Sequence, residues 1–265
     1  MELFISDSGE RIRPEHFSQA LTAVGVRQSD TLFVHADIGV WGKLLVQDRA
    51  PVLGALCRTL TTAVGARGTV VMPTFTYSFC RGETYDVLQS RSNMGALNEY
   101  FRTLPEVVRT RHPLFSVAIW GNNREEFHSV GPDSFDRQSI FGHLHRTNAL
   151  IVFFGVPFMT TFIHYIEQDR GVPYRSIKKF SGTIITEDGT EKAGEATYFV
   201  RPLDGSVVTD LTKLEKRLHA KHLLEEARVG NGVIRAVRAE DLYREGTQML
   251  TEDIYSLVQK PPTHV

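Results

Sequence analysis

Thr161, His164 and Glu167, three residues apart in turn, carry the plainest chemical signal in the chain. On a helix such positions share one face. A histidine flanked by a hydroxyl and a carboxylate can be held in one tautomer and used as a general base near neutral pH. The same spacing fits a capped helix with a surface ion pair, so by itself it leaves both readings open. His35 ends the apolar run Thr31-Leu32-Phe33-Val34, where a histidine either lines a site or sits satisfied in the core. Cys80 could act as a thiolate nucleophile with a histidine and an aspartate supplied from afar, or be an inert small apolar side chain. Ser90-Arg91-Ser92-Asn93, ahead of Met94-Gly95, would place hydroxyls and amides at a helix start, suited to phosphate or to ordinary capping. His143 and His145 stand two apart with no carboxylate or cysteine beside them, so no metal site is expected. No glycine-rich dinucleotide or P-loop spacing occurs.

The elements that must position these residues alternate through the first half. Helical spacing predicts helices over Pro14–Val24, Val52–Val64 and Met94–Leu104. Short apolar runs predict strands at Thr31–Val34, Thr69–Met72, Phe115–Trp120 and Leu150–Phe154. That rhythm implies parallel strands covered by helices, with ligands at the carboxyl ends of the strands. His35, Thr74–Ser78 and Thr160–Glu167 fall there, whereas His112 precedes its strand and lies at the opposite edge unless that strand is antiparallel. The second half differs. Asp188-Gly189 between two β-rich arms, within Gly182–Arg201, signals an antiparallel hairpin. Leu211, Leu214 and Leu218 start a helix expected to end before Gly230, Val233–Val237 reads as a strand, and Leu242–Leu257 as a final helix. The expected fold class is α/β, a largely parallel central sheet covered by helices, with an appended antiparallel β-hairpin and C-terminal helices. No linker or repeat divides the chain, so residues 1–265 read as one domain.

Composition narrows the function classes. Among 265 residues, Lys and Arg total 30 and Asp and Glu 31, a net charge of −1. That balance argues against a nucleic-acid binder, which needs a basic excess facing phosphates, and against a protein held to anionic membrane by charge. No apolar run is long enough to cross a bilayer, and the N-terminus has no secretory pattern. Two cysteines, Cys57 and Cys80, are too few for a disulfide framework. A cytoplasmic location is the expectation.

Six segments in order resemble the aminoglycoside 3-N-acetyltransferase family, part of the antibiotic N-acetyltransferase superfamily and distinct from the GNAT fold. They are Val34-His35-Ala36-Asp37; Gly68 through Thr76; Met94-Gly95 with Glu99 and Phe101-Arg102; Arg111-His112-Pro113 with Ser116-Val117-Ala118; Phe141-Gly142-x-Leu144; and Thr161-x-x-His164-x-x-Glu167. The match runs from His35 to the last helix. It implies an N-acyltransferase that moves the acyl group of acetyl-CoA, or another acyl-CoA, directly to an amine without a covalent intermediate and without a metal. His164 matches the family's catalytic histidine, Glu167 its acidic partner, and Thr161 lies in the same motif. The resemblance places CoA along His35, Ala36 and Asp37, the helix start at Ser92, Asn93 and Met94, and the loop at Phe141. It places the acceptor near Thr76, Tyr77, Glu83 and His112. Two departures bear on the acceptor. Ala36 and Asp37 stand where relatives acting on aminoglycosides have small hydroxyl residues, and the loop from Tyr77 to Gln89 is short, with only Glu83 and Asp86 as acids. Aminoglycosides are polycations that call for acidic sites, so the reading leans towards an amino sugar, nucleotide-linked in some relatives, over an aminoglycoside. A homo-oligomer is left open. The rival readings are a Cys80-dependent ping-pong acyltransferase or hydrolase, and a catalytically silent relative that binds CoA or a sugar.

Overall fold

A strand covered by helices on both faces must be apolar on both, so it reads as an unbroken apolar run. The computed structural model, which describes residues 1–259, shows this at the centre of its largest sheet. In chain order the first elements are β1 (Phe4–Ile5), β2 (Arg11–Ile12), α1 (Pro14–Ala23), β3 (Thr31–Ala36), β4 (Lys43–Leu44), α2 (Ala50–Val64) and β5 (Thr69–Pro73). A 3-10 turn at Ser78–Arg81 leads to β6 (Tyr85–Asp86), α3 (Ala96–Phe101), β7 (Val108–Arg109) and β8 (Val117–Gly121). Then come α4 (Arg124–His128), α5 (Ile140–Arg146), β9 (Leu150–Phe154) and α6 (Ile163–Arg170). The last third holds β10 (Ser176–Ile185), β11 (Glu191–Val200), α7 (Thr212–Ala220), β12 (Leu224–Val229), β13 (Gly232–Arg238) and α8 (Ala239–Glu252).

Seven strands form the main sheet in the order β12-β13-β9-β3-β5-β8-β7. Side chains alternate between its faces. Leu32, Val34, Val70, Met72, Val152 and Phe154 join the core under α1, α2 and α3. Phe33, Val71, Ile151 and Phe153 join the core under α5, α6 and α8. The fold is thus α/β, a sheet between two helical layers.

Parallel pairing holds where β9, β3 and β5 meet at the centre. Outwards it turns antiparallel, at β13 on one side and β8 on the other. The antiparallel β8 has a direct consequence: the segment before it, including His112, lies at the end of the sheet where β5 finishes. The expected hairpin is present as β10 and β11, paired from Ser176↔Val200 to Ile185↔Glu191 around the Asp188-Gly189 turn. It begins six residues earlier than its sequence signal, because Ser176–Ser181 alternate too weakly in hydropathy to mark a strand.

The helix expected to run from Leu211 towards Gly230 is corrected. It stops at Ala220, and Leu224–Val229 forms a strand closed onto β13 by Gly230-Asn231. Glu225, Glu226 and Arg228 favour a helix locally, but Leu224 and Val229 are buried only as a strand, and burial decides. Among the described residues no helix is long and apolar enough to cross a membrane.

Candidate active site

The loops after β3, β5 and β9 converge at one end of the sheet. Gly155 fixes how closely they meet: its backbone has φ +81, and a Cβ there would stand 2.4 Å from the carbonyl oxygen of Asp37. Only glycine lets the loop after β9 press against the loop after β3. The Asp37 amide completes the junction by donating to the Phe154 carbonyl at 3.0 Å.

From this junction the chain turns into α6, which carries the histidine–carboxylate pair. His164 Nδ1 lies 2.6 Å from Glu167 Oε2, one turn along. Glu167 is fully buried. A left-handed Gly171 ends α6 and folds the following segment back, so that Tyr174 donates its hydroxyl to Glu167 Oε1 at 2.9 Å. The Arg175 guanidinium lies 2.8 Å from Oε2, an ion pair whose Nε–H is not aligned for a hydrogen bond. Glu167 is thus fixed from three sides, and it fixes the imidazole. The carboxylate takes the Nδ1 hydrogen, which leaves Nε2 as the basic nitrogen. Burial pulls the His164 pKa below its ordinary value; Glu167 opposes this, and Arg175 and Arg201 add to it. The result is an imidazole neutral near pH 7, oriented and only partly shielded from solvent.

His35 stands at the end of β3, its ring stacked on Phe153 and edge-on to Phe33. Its Nε2 lies 2.9 Å from Thr160 Oγ1, and burial lowers its pKa to about 4. It is therefore a neutral, satisfied histidine that ties the end of β3 to the entry of α6. Thr160, not Thr161, makes that tie. Thr161 precedes the first turn of α6, and its carbonyl accepts from the His164 amide at 3.0 Å. The hydroxyl–histidine–carboxylate face read from the spacing is therefore a histidine–carboxylate pair on the helix with a threonine outside it. The sequence signal for Thr160 was its place next to Thr161 in the loop after β9.

A cleft of about 580 Å³ opens beside His35, lined by Ala36, Asp37, Ile38, Gly39, Arg49, Asn93, Met94 and Gly95 among others. It gathers four of the residues expected to hold the cofactor. Asp37 turns its carboxylate onto its own loop, accepting from the Gly39 amide at 2.8 Å. Ser92 lies just outside the cleft and accepts from the Met94 amide at 3.1 Å. Arg49 adds a cation that the sequence reading missed, since nothing local marks the residue before α2 as part of the site. A smaller pocket of about 230 Å³ shares Ala36 and Met94 with the cleft and takes in His35.

Two expected contacts, Phe141 and Thr76, are corrected. Phe141 is fully buried among Phe33, Phe75, Phe135 and Phe162, beneath the site and out of reach of a cofactor. Thr76 is buried and donates to the Pro113 carbonyl at 2.9 Å. His112 is buried with a pKa lowered to about 4, and its Nδ1 accepts from the amides of Leu114 and Phe115 at 3.3 and 3.1 Å. Thr76 and His112 brace the loop between β7 and β8, and the buried His112 Nε2 has no hydrogen-bond partner among the described residues. Tyr77 is half-buried against Phe75 and Phe115. Glu83 is exposed and paired with Arg81.

The ordered motifs and the fold around them agree with one comparison above all. Residues 33–251 match the sequence model described as aminoglycoside 3-N-acetyltransferase. The chain belongs to that family. Its members are acyl-CoA-dependent N-acyltransferases, and acyl-CoA is the co-substrate. A curated relative, the SPbeta prophage-derived aminoglycoside N(3')-acetyltransferase-like protein YokD of Bacillus subtilis (strain 168), is 25% identical over 197 residues, 65% of this chain and 70% of its own. Among solved structures, the apoenzyme of aminoglycoside acetyltransferase AAC(3)-IVa superposes with a TM-score of 0.76 at 24% identity, covering 95% of this chain and 92% of that one. AAC-IIIb in a binary complex with CoASH gives 0.75 at 22% identity, covering 90% and 96%. Both are similar to this chain in fold.

Proposed function

We propose that this family member transfers an acyl group, acetyl in the simplest case, from acyl-CoA directly to an amine of an anionic amino sugar, with His164 as general base. The observation that carries the reading is the His164–Glu167 contact of 2.6 Å, with the carboxylate buried and braced by Tyr174 and Arg175. An ammonium has no lone pair, so attack needs a base that is neutral at working pH. His164 Nε2 takes a proton from the acceptor ammonium, and the freed nitrogen bonds to the thioester carbon. The imidazolium passes that proton to sulfur as the C–S bond breaks and CoA leaves as the thiol, and the remaining extra proton on nitrogen goes to the again-neutral imidazole. The Ala36–Ile38 loop and Arg49 border the cleft that suits the CoA arm and its phosphates. Neutral amides and one arginine meet those phosphates, in keeping with a chain of near-zero net charge.

The charges on the other side of His164 favour the acceptor class. Arg201 acts on the imidazole and Lys178 on the Cys80 thiol, and neither is in an ion pair among the described residues; Arg175 and Arg81 act there too but are paired with Glu167 and Glu83. The acids of this region are held by their own partners, with Asp86 and Asp133 keeping their charge. Glu83 pairs with Arg81, Asp86 accepts from the amides of Leu88 and Gln89, and Asp133 accepts from Thr197, Gln168 and the Phe135 amide. The two cations without an ion pair, Arg201 and Lys178, favour a sugar bearing phosphate, such as a nucleotide-linked amino sugar, over a polycation. Cys80 makes a poor nucleophile, because burial pushes its thiol above the ordinary range.

The test is CoA-thiol release from acetyl-CoA with nucleotide-linked amino sugars, the same sugars without phosphate, and aminoglycosides. The phosphate-bearing acceptors should give the highest kcat/KM. His164→Ala should lower it by about 10²- to 10⁴-fold, while Cys80→Ala stays close to the parent. Preference for an aminoglycoside, or full activity in His164→Ala, overturns the reading.

A further inference from the structure

The inner pocket beside His35 is walled by Ala36, Pro73, Met94, Val156, Pro157 and Met159, which present apolar surface, with His35 and Asn98 as its polar members. Asn98 is fully buried in α3. Its Nδ2 donates to the Pro73 carbonyl at 2.8 Å. That bond fixes which way the amide points, since a carbonyl can only accept. Its Oδ1 is consequently an acceptor, and it accepts from nothing among the described residues. A buried amide oxygen without a donor is costly, and such a group in a ligand pocket is a polar contact waiting for its partner.

The pocket borders the outer cleft, sharing Ala36 and Met94 with it, and is lined by His35, whose Nε2 contacts Thr160. A molecule with its phosphates at Arg49 in the outer cleft and its slim end in this pocket meets Asn98. We propose that Asn98 Oδ1 accepts the hydrogen of the amide N–H nearest the sulfur in the pantetheine arm of CoA, and so sets how far the thioester reaches towards His164. This rests on the reading of the outer cleft as the CoA site. The chemistry matches: the arm is a slim apolar chain with amide donors, and the pocket is an apolar wall with one amide acceptor. Asn98 is a positioning residue, because it touches the arm and acts on the thioester through it.

The test is calorimetric binding of two ligands, CoA and its nucleotide part alone, adenosine 3',5'-bisphosphate, to the unaltered protein and to Asn98→Leu. The variant should bind CoA about tenfold more weakly and the nucleotide unchanged. Because Leu also removes the bond to Pro73, Asn98→Asp is the second arm. A buried aspartic acid is protonated at mildly acidic pH, donates to Pro73 and keeps its carbonyl oxygen as acceptor. At pH 5.5 it should recover CoA binding, and at pH 8 lose it. Steady-state kinetics should show KM for acetyl-CoA rising more than KM for the acceptor. Equal losses for CoA and the nucleotide, or no loss for either, overturn the role of Asn98 while the CoA cleft stands. No CoA binding by the unaltered protein removes the cleft reading and this proposal together.

Discussion

Glu167 does two things to His164, and they can be separated by pH. It orients the ring through Nδ1, and it raises the imidazole pKa against burial and two arginines. As the proposed general base His164 is active when neutral, so the acid limb of kcat/KM should have its midpoint below 6.5. Glu167→Gln removes the anion that favours the protonated ring, so the limb should shift to still lower pH. At its plateau the rate should fall on the order of 10²- to 10⁴-fold, since the tautomer and orientation are no longer imposed. A variant that merely loosened the fold would lose activity at every pH with the limb in place. A limb that stays put or moves upwards would refute the assignment. Tyr174→Phe, which leaves Arg175 in place, should give a milder loss in the same direction.

The hairpin of β10 and β11 is held by a packing device that involves no polar contact. Gly182 and Gly194 face each other across the strands, and the Phe79 ring covers them. A Cβ on Gly182 would stand 2.8 Å from that ring, and one on Gly194 2.5 Å from Ile184 Cδ1. Phe79 is buried, so Phe79→Ala should destabilise the protein by about 3–5 kcal/mol. Gly182→Val, which overfills the same contact, should cost about 1–3 kcal/mol. Both should make the segment 176–200 the first site of limited proteolysis. They should also raise KM for the acceptor more than for acetyl-CoA, because the proposed function puts the acceptor on the side of Lys178 in the hairpin and CoA in the cleft between the loop after β3, Arg49 and the start of α3. Equal protease resistance, or a KM change confined to acetyl-CoA, would contradict this division. The elements differ in how far the sequence disclosed them. The strands β3, β5 and β9, and the helix α2, are long or apolar enough for periodicity to find them within a residue or two. The direction of β8 lay outside that signal, because an apolar run has no polarity; only the packing of its neighbours sets it. Phe141 was misassigned for a related reason, since a motif gives order along the chain but not which side of a loop faces the ligand. Thr160 and Arg49 depend on contacts across more than a hundred residues or across a cleft, and no local pattern encodes those.

The whole molecule folds around two histidines that it keeps neutral. His35 and His112 are both buried, and burial lowers each pKa from the ordinary 6.5 to about 4. One joins β3 to the foot of α6, and the other accepts two backbone amides in the turn between β7 and β8. In the unfolded chain both would titrate near 6.5. Below that pH the unfolded state binds protons that the folded state refuses, so stability is lost as pH falls. Above it both states are neutral at these positions, and stability gains nothing further from them. The loss runs from about pH 6.5 down to about pH 4 and reaches about 3 kcal/mol for each histidine, at 1.36 kcal/mol per unit. Against the 5–15 kcal/mol typical of a folded domain, roughly 6 kcal/mol for the pair is a large share. Urea unfolding at pH 7, 6 and 5 should therefore show a midpoint flat above 6.5 and falling below it, before the surface carboxylates titrate. His164 adds to the same slope, its pKa being lowered as well. His112→Asn separates the contributions. An asparagine oxygen can still accept from the Leu114 and Phe115 amides, and it does not titrate. The variant should lose some stability at pH 7 yet hold more of what remains at pH 5, with the slope reduced by about one histidine's share. A parent protein equally stable at pH 7 and pH 5, or a His112→Asn variant with an unaltered slope, would show that these rings take up protons without unfolding the chain.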